Sequence, residues 1–315
     1  MTTKLIMRAY GGQDDFWRIR AFLREVFLLN DRRQWSWPVT RLDYWRWHLV
    51  ANVEVCGGKI DDALFLWETA EGRIGAVLGS DVGKDMNLHI HPNFRTVELE
   101  QEMLAVGEDK FAFTTPEGQR KVFADAHATD IFRQEILQRR GYTNHNWPEY
   151  QWRRCLDTLI PDAPIPEGYT VQAIGDIGGE DWPQRSWVSW RAFHPDDPDS
   201  DYEGWEWSLN WSRSPLYRRD LDIVATSPDG KVAAYCILWY DDVTRMGHFD
   251  PVAVMPEHQR RGLGRAMMTE AMRRAKDMGA TLATVSGFEP GANGLYRSAL
   301  SPEHDLKVPW VKILD

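Results

Sequence analysis

Apolar and polar positions along this chain recur with two periods, one of strands and one of helices. Residues 5–9 read as a short strand, and residues 15–29 repeat apolar side chains at helical spacing. In the second half, residues 169–174 read as a strand, followed by helices near 181–194 and 203–213 and strands near 221–227, 231–240 and 247–255. Met267, Met268, Ala271, Met272, Ala275 and Met278 then fall on one helical face until Gly279, a residue suited to a helix C-terminus. A strand near 280–287, a short helix from Ala292 and a last strand over 306–314 complete the pattern, which predicts an α/β (α+β) chain.

Part of the pattern occurs twice. Trp45-Arg46-Trp47-His48-Leu49 and Trp205-Glu206-Trp207-Ser208-Leu209 share Trp-x-Trp-x-Leu, and each follows a helical stretch, 15–29 in one half and 181–193 in the other. Ile90-His91-Pro92 matches Val254-Met255-Pro256 at a similar separation. A repeat this long means duplicated domains rather than a solenoid. Between the halves, Ile160-Pro161-Asp162-Ala163-Pro164-Ile165-Pro166-Glu167-Gly168 cannot continue a helix or a central strand. The expected division is a first domain over 1–156, a proline-rich linker over 157–168 and a second domain over 169–315.

Composition bounds what the two domains do. A chain of 315 residues with 43% hydrophobic content suits two packed cores. No apolar run approaches the ~20 residues of a membrane span, and no basic-then-apolar leader opens the chain, so a soluble, cytoplasmic protein is expected. Cys56, Cys155 and Cys236 are odd in number and widely spaced, which points to reduced thiols and no zinc site. The net charge of −10 argues against nucleic acid and favours a cationic small molecule. The acidic run from His194 to Glu203 offers attraction for such a molecule, but its spacing does not register as a calcium loop, and no metal is expected.

The chemistry concentrates where the strand over 249–254 turns into the methionine-rich helix. Gln259, Arg260, Arg261, Gly262, Leu263, Gly264 and Arg265 form a turn of glycines among arginines at a helix N-terminus, a place where unpaired N–H groups and the helix dipole favour an anion. Glycines at 262 and 264 open the backbone to a phosphate. The dinucleotide fingerprint needs a third glycine where Met267 stands, and the nucleoside-triphosphate loop needs Gly-Lys-Ser/Thr, so both are excluded.

What remains, Val-x-Pro-x-x-Gln-x-x-Gly-x-Gly between strand and helix, resembles the pyrophosphate motif of the GNAT acyltransferase superfamily. The resemblance implies tandem GNAT folds, each a mixed, mostly antiparallel sheet flanked by helices, with acetyl-CoA as acyl donor and a primary amine of a small molecule as acceptor. It places the pantetheine arm beside the backbones of Val252, Ala253 and Val254. Gly291-Ala292-Asn293-Gly294-Leu295-Tyr296 resembles the family's Asn-x-x-x-Leu-Tyr region, in which the Asn contacts pantetheine and the Tyr hydroxyl protonates the CoA sulfur, although Ser301-Pro302 stands where the family has a Gly-aromatic step. Two candidates for the base share a strand face, His248 and Asp250. Aligning Pro92 on Pro256 puts Arg95 at the Gln259 position and Glu98 and Glu100 at the two glycine positions, so the first copy is expected to have lost its CoA site. The alternative to an enzyme is a CoA-binding regulatory or scaffold protein, and a homodimer is left open.

Overall fold

The computed structural model describes residues 4–176 and 182–314 and divides the chain into two compact units, Met1–Tyr150 with Asp305–Asp315, and Gln151–His304.

The first unit runs β1 (Ile6–Ala9), α1 (Gln13–Leu29), α2 (Val39–Tyr44), β2 (Leu64–Glu68), β3 (Ile74–Gly79), β4 (Asp85–Ile90), α3 (Val97–Lys110), β5 (Phe113–Thr114), β6 (Arg120–His127), α4 (Ile131–Arg139) and β7 (Thr143–Asn144), with β8 (Glu149–Cys155) at its boundary. Strands β1 to β4 form antiparallel pairs in sequence order, and β4 then meets β6 in parallel. Alternation along β2 sorts the core by face: Leu64 and Leu66 join Phe16, Ile19, Leu23 and Val26 of α1, whereas Phe65 and Trp67 join Leu99, Met103 and Leu104 of α3. The sheet is thus covered on both faces. Helix α1 carries Asp14 and Asp15 in its first turn, where carboxylates oppose the positive end of the dipole.

The second unit repeats the order. After residues 157–168, which hold no helix or strand, come β9 (Thr170–Ala173), α5 (Trp182–Phe193), α6 (Leu209–Ser212), β10 (Asp222–Thr226), β11 (Val232–Asp241), β12 (Met246–Val254), α7 (Leu263–Asp277), β13 (Leu282–Gly287) and α8 (Pro290–Ala299). Strands β9 to β12 are antiparallel, and β13 joins β12 in parallel. All ten residues of β11 are buried, as befits a central strand. Met267, Met268, Ala271, Met272 and Ala275 have no exposed surface, so the predicted face of α7 is the one that packs on β10 and β11. The stretch near 203–213 is shorter than a single helix: a turn over Glu206–Ser208 leads directly into α6. The expected start of α5 at Asp181 lies outside the described residues.

One strand departs from expectation. The last strand, β14 (His304–Leu314), was expected to close the second half, yet it pairs with β6 from Lys307↔His127 to Leu314↔Arg120, with Trp310 in the core of the first unit. Local pattern specifies a strand but not its partner; eight consecutive pairs with β6 and a buried tryptophan decide it. The units are therefore not contiguous halves of the sequence.

Candidate active site

The site of the second unit begins where two parallel strands separate. β12 pairs with β13 from Met246↔Leu282 to Phe249↔Val285 and no further. On its other edge, β12 stays on β11, but the register slips: Phe249 faces Leu238 and Val252 faces Cys236, so Asp250 and Pro251 together oppose one residue. This bulge, which contains the cis Asp250–Pro251 peptide, re-aims the strand. The Met255 N–H donates to Ala233 O in the direction of β11. Alternation then turns Ala253 toward β11 as well and leaves Val252 and Val254 facing the open edge, where Gln259 Nε2 donates to Val254 O at 3.2 Å. Two of the three predicted backbone positions thus present their polar groups to the wedge.

The glycine turn follows at once. Arg260 (φ 61°) and Gly262 (φ 91°) occupy the left-handed region, and α7 starts at Leu263 with no side chain capping it. The first N–H groups of α7 therefore lack intrahelical acceptors. A Cβ on Gly262 would meet nothing within 4 Å, so this glycine lies open as well as left-handed. Gly264 does something different from the expected exposure of backbone: a Cβ there would stand 2.8 Å from Leu295 Cδ2 of α8. It brings α7 against α8, and so fixes the turn relative to Tyr296. Gly264→Ala should force Leu295 aside and cost about 1–2 kcal/mol in urea unfolding, the range for modest overpacking; an unchanged midpoint would show that α8 gives way freely. Arg260 and Arg261 are exposed, Arg261 Nη2 donates to Glu257 O at 3.3 Å, and Arg265 Nη2 donates to Asp162 O at 3.3 Å.

Asn293 and Tyr296 sit one turn apart on α8. Tyr296 is 8% exposed, its ring lies against Gly287 at the end of β13, and a Cβ on Gly287 would be 2.9 Å from Tyr296 Cε2 and 2.6 Å from Asn293 Oδ1. Its hydroxyl has no hydrogen-bond partner among the described residues. Burial, then the nearby Asp250 and Cys236, push the phenol above its ordinary range, so it stays protonated at neutral pH. Both ends of the Asn293 amide are engaged: Oδ1 accepts from Trp152 Nε1 at 2.8 Å, and Nδ2 donates to Phe288 O at 3.2 Å. Gly287 and Trp152 escaped the sequence reading. A strand-terminal glycine shortly before the Asn-Tyr segment was a usable signal for the first, whereas nothing local pointed to the second.

The candidate bases separate. His248 is 4% exposed and its Nδ1 lies 2.8 Å from Thr284 Oγ1. Asp250 is half-buried in the bulge and close enough to shift the phenols of Tyr296 and Tyr235. Beneath it lies a buried network: Tyr235 Oη is 2.7 Å from Ser189 Oγ, its ring faces Arg185 at 4.2 Å, and Arg185 pairs with Asp222 at 2.9 Å with neither side chain exposed. The acidic run 194–203 is largely exposed and folds back on Arg191, whose guanidinium donates to Asp197 O at 2.8 Å and Asp199 Oδ1 at 3.2 Å.

The matching turn of the first unit is built otherwise. β4 parts from β6 after two pairs, so the wedge persists. But Thr96 Oγ1 caps α3 by accepting from Leu99 N at 3.2 Å, and Glu100, fully buried, accepts from Arg95 Nε at 2.6 Å and Arg133 Nε at 3.0 Å. The Thr96 side chain already satisfies one of the helix N–H groups of the kind left open at Gly262, and Glu100 takes up the nearby arginines.

Residues 180–300 match the model of the acetyltransferase (GNAT) family. A GCN5-related N-acetyltransferase from Sphaerobacter thermophilus is 19% identical in a superposition covering 98% of this chain and 95% of that one, with a TM-score of 0.65. A tandem GNAT protein from the clavulanic acid biosynthesis pathway is 13% identical, with 98% of each chain covered and a TM-score of 0.62. A GNAT-family acetyltransferase from Colwellia psychrerythraea is 13% identical, with 98% of this chain and 100% of that one covered at a TM-score of 0.60. At such identities the likeness is one of fold, and no curated protein is similar in sequence. No helix among the described residues is long and apolar enough to cross a membrane. Residues 180–300 thus match the GNAT acetyltransferase family, and the chain as a whole has the fold of GNAT proteins, a tandem one among them.

Proposed function

We propose that the second unit transfers an acetyl group from acetyl-CoA to a primary amine of a small, cationic molecule by direct attack. The observation that carries this reading is the Tyr296 side chain, packed on Gly287 at the end of β13 where β12 has parted from it, with no hydrogen-bond partner for its hydroxyl among the described residues. The uncapped start of α7, with Arg260, Arg261 and Arg265 around it, suits a pyrophosphate. Outward backbone groups of Val252 and Val254 suit an arm lying along β12 as an added strand, and an N–H from this edge polarises the thioester carbonyl. The amine nitrogen attacks that carbon, Asp250 takes the amine proton directly or through water, and the C–S bond breaks as Tyr296 gives its proton to sulfur. Cys236 is no relay, because it is fully buried and burial pushes its thiol well up, away from the thiolate that a nucleophile requires.

The first unit lacks the donor cradle in this reading, since the Glu100 carboxylate and the Thr96 cap already occupy the anion's partners. Calorimetry on the full chain should find one acetyl-CoA per chain, and Gly262→Glu should weaken it by at least ~10-fold, the effect of one misplaced charge and side chain at the phosphate. Two equivalent sites would overturn the assignment.

A further inference from the structure

The first unit contains a cleft of about 420 Å³, within the size range of small-ligand sites. Its walls come from the loop after α1 (Asn30, Arg33, Trp35), the end of β6 and the residues beyond it (His127, Thr129), and the start of β14 (Asp305). Arg33 Nη1 donates to both oxygens of Asp305, at 2.7 and 2.8 Å, so that pair is neutralised, while the exposed Asp31 carboxylate stands on the rim.

His127 is 5% exposed and has an unfinished hydrogen bond. The Thr129 backbone N–H donates to His127 Nδ1 at 3.4 Å, with Thr129 Oγ1 at 2.8 Å from the same nitrogen. An accepting Nδ1 leaves the ring proton on Nε2. That Nε2–H is buried without a hydrogen-bond partner, and Asp305 Oδ2 stands 3.8 Å away, beyond hydrogen-bond reach. A buried donor in this state calls for an outside group. The group that completes it must accept from His127, and the Asp305 carboxylate beside it favours one that can also donate. A neutral hydroxyl does both, whereas an ammonium only donates, a carboxylate only accepts, and a phosphate brings a negative charge against Asp305. Trp35, half-buried on the same wall with its ring 5.5 Å from that of His127, offers an apolar face to the C–H groups of a hydroxylated ring. The loop that carries Trp35 also holds two successive non-glycine residues in the left-handed region, Asp31 (φ 52°) and Arg32 (φ 58°), a strain that collects at ligand sites.

We propose that this cleft binds a small neutral polyol of the monosaccharide class, with one hydroxyl bridging His127 Nε2 and Asp305 Oδ2 and the ring face on Trp35. The site is lined by residues of the first unit alone and is independent of the acceptor assigned to the second.

Saturation-transfer NMR and calorimetry on the full chain, with the methyl glycosides of glucose, galactose, mannose and xylose up to roughly 10 mM, test this. At least one glycoside should bind saturably, and Trp35→Ala and His127→Ala should each weaken it by ~10-fold or more while acetyl-CoA binding is retained. Should either variant misfold, as a lowered thermal-unfolding midpoint would reveal, Asn30→Ala in the loop after α1 supplies the comparison and should weaken the glycoside ~3-fold or more. The proposal is overturned by no saturable binding of any of these glycosides, by affinity indifferent to the folded variants, or by methylammonium or inorganic phosphate binding more tightly than every glycoside.

Discussion

Replacing Tyr296 with Phe lowers the maximal rate by roughly 10–10³-fold and leaves acetyl-CoA affinity nearly unchanged. The ring that packs on Gly287 is retained, so α8 keeps its place, and the hydroxyl that is removed has no structural partner among the described residues to lose. Only the proton for the departing sulfur is missing, which then comes from water. A thioester with a more acidic thiol should suffer a smaller loss, because its leaving group needs less help. The pH profile adds a second check. Burial keeps the phenol neutral past its ordinary range, so the wild-type rate should show no alkaline fall assignable to Tyr296 below about pH 10. Steady-state rates for wild type and Tyr296→Phe that agree within error, on any amine that is turned over, would reduce the tyrosine to a packing residue.

The second large effect belongs to Asp250. Asp250→Asn should depress turnover at neutral pH by ~10²-fold, the lower part of the range for general-base loss, without displacing acetyl-CoA. His248→Gln should cost less than ~10-fold, because His248 is sealed between strands with Nδ1 engaged by Thr284, while Asp250 stands half-buried in the bulge beside Tyr296. Measuring kcat for both variants with one acceptor separates the two assignments. A reversed order would move the base to His248.

Much of this site could be read from residue order because its signals are local. A strand, a proline, two glycines and a methionine stripe define β12, the turn and α7, and helical spacing alone puts Asn293 and Tyr296 on one face. The distinct duties of the two glycines could not be read that way. Gly262 answers to its own backbone, but the need for Gly264 comes from Leu295, thirty-one residues later, and is visible only once α7 and α8 are packed. The choice between His248 and Asp250 was likewise hidden, since simple alternation puts both on one face and only the bulge at Asp250–Pro251 breaks that parity. Trp152 reaches Asn293 from a strand that the repeat and the proline-rich linker assign to the first domain. Long-range pairing is what the linear pattern lacks, and β14 shows this most plainly.

That strand has a consequence for biosynthesis. The chain emerges N-terminus first, and domains usually fold in the order they are made. Here the strand that covers β6 is encoded after the whole of Gln151–His304. Throughout translation of the second unit, β6 would hold a bare edge of unpaired N–H and C=O groups, the kind of edge that invites pairing with another nascent chain. The unit begun first is thus finished only after the second, and a chain cut before β14, with all of Gln151–His304 made, would leave β6 of the first unit open.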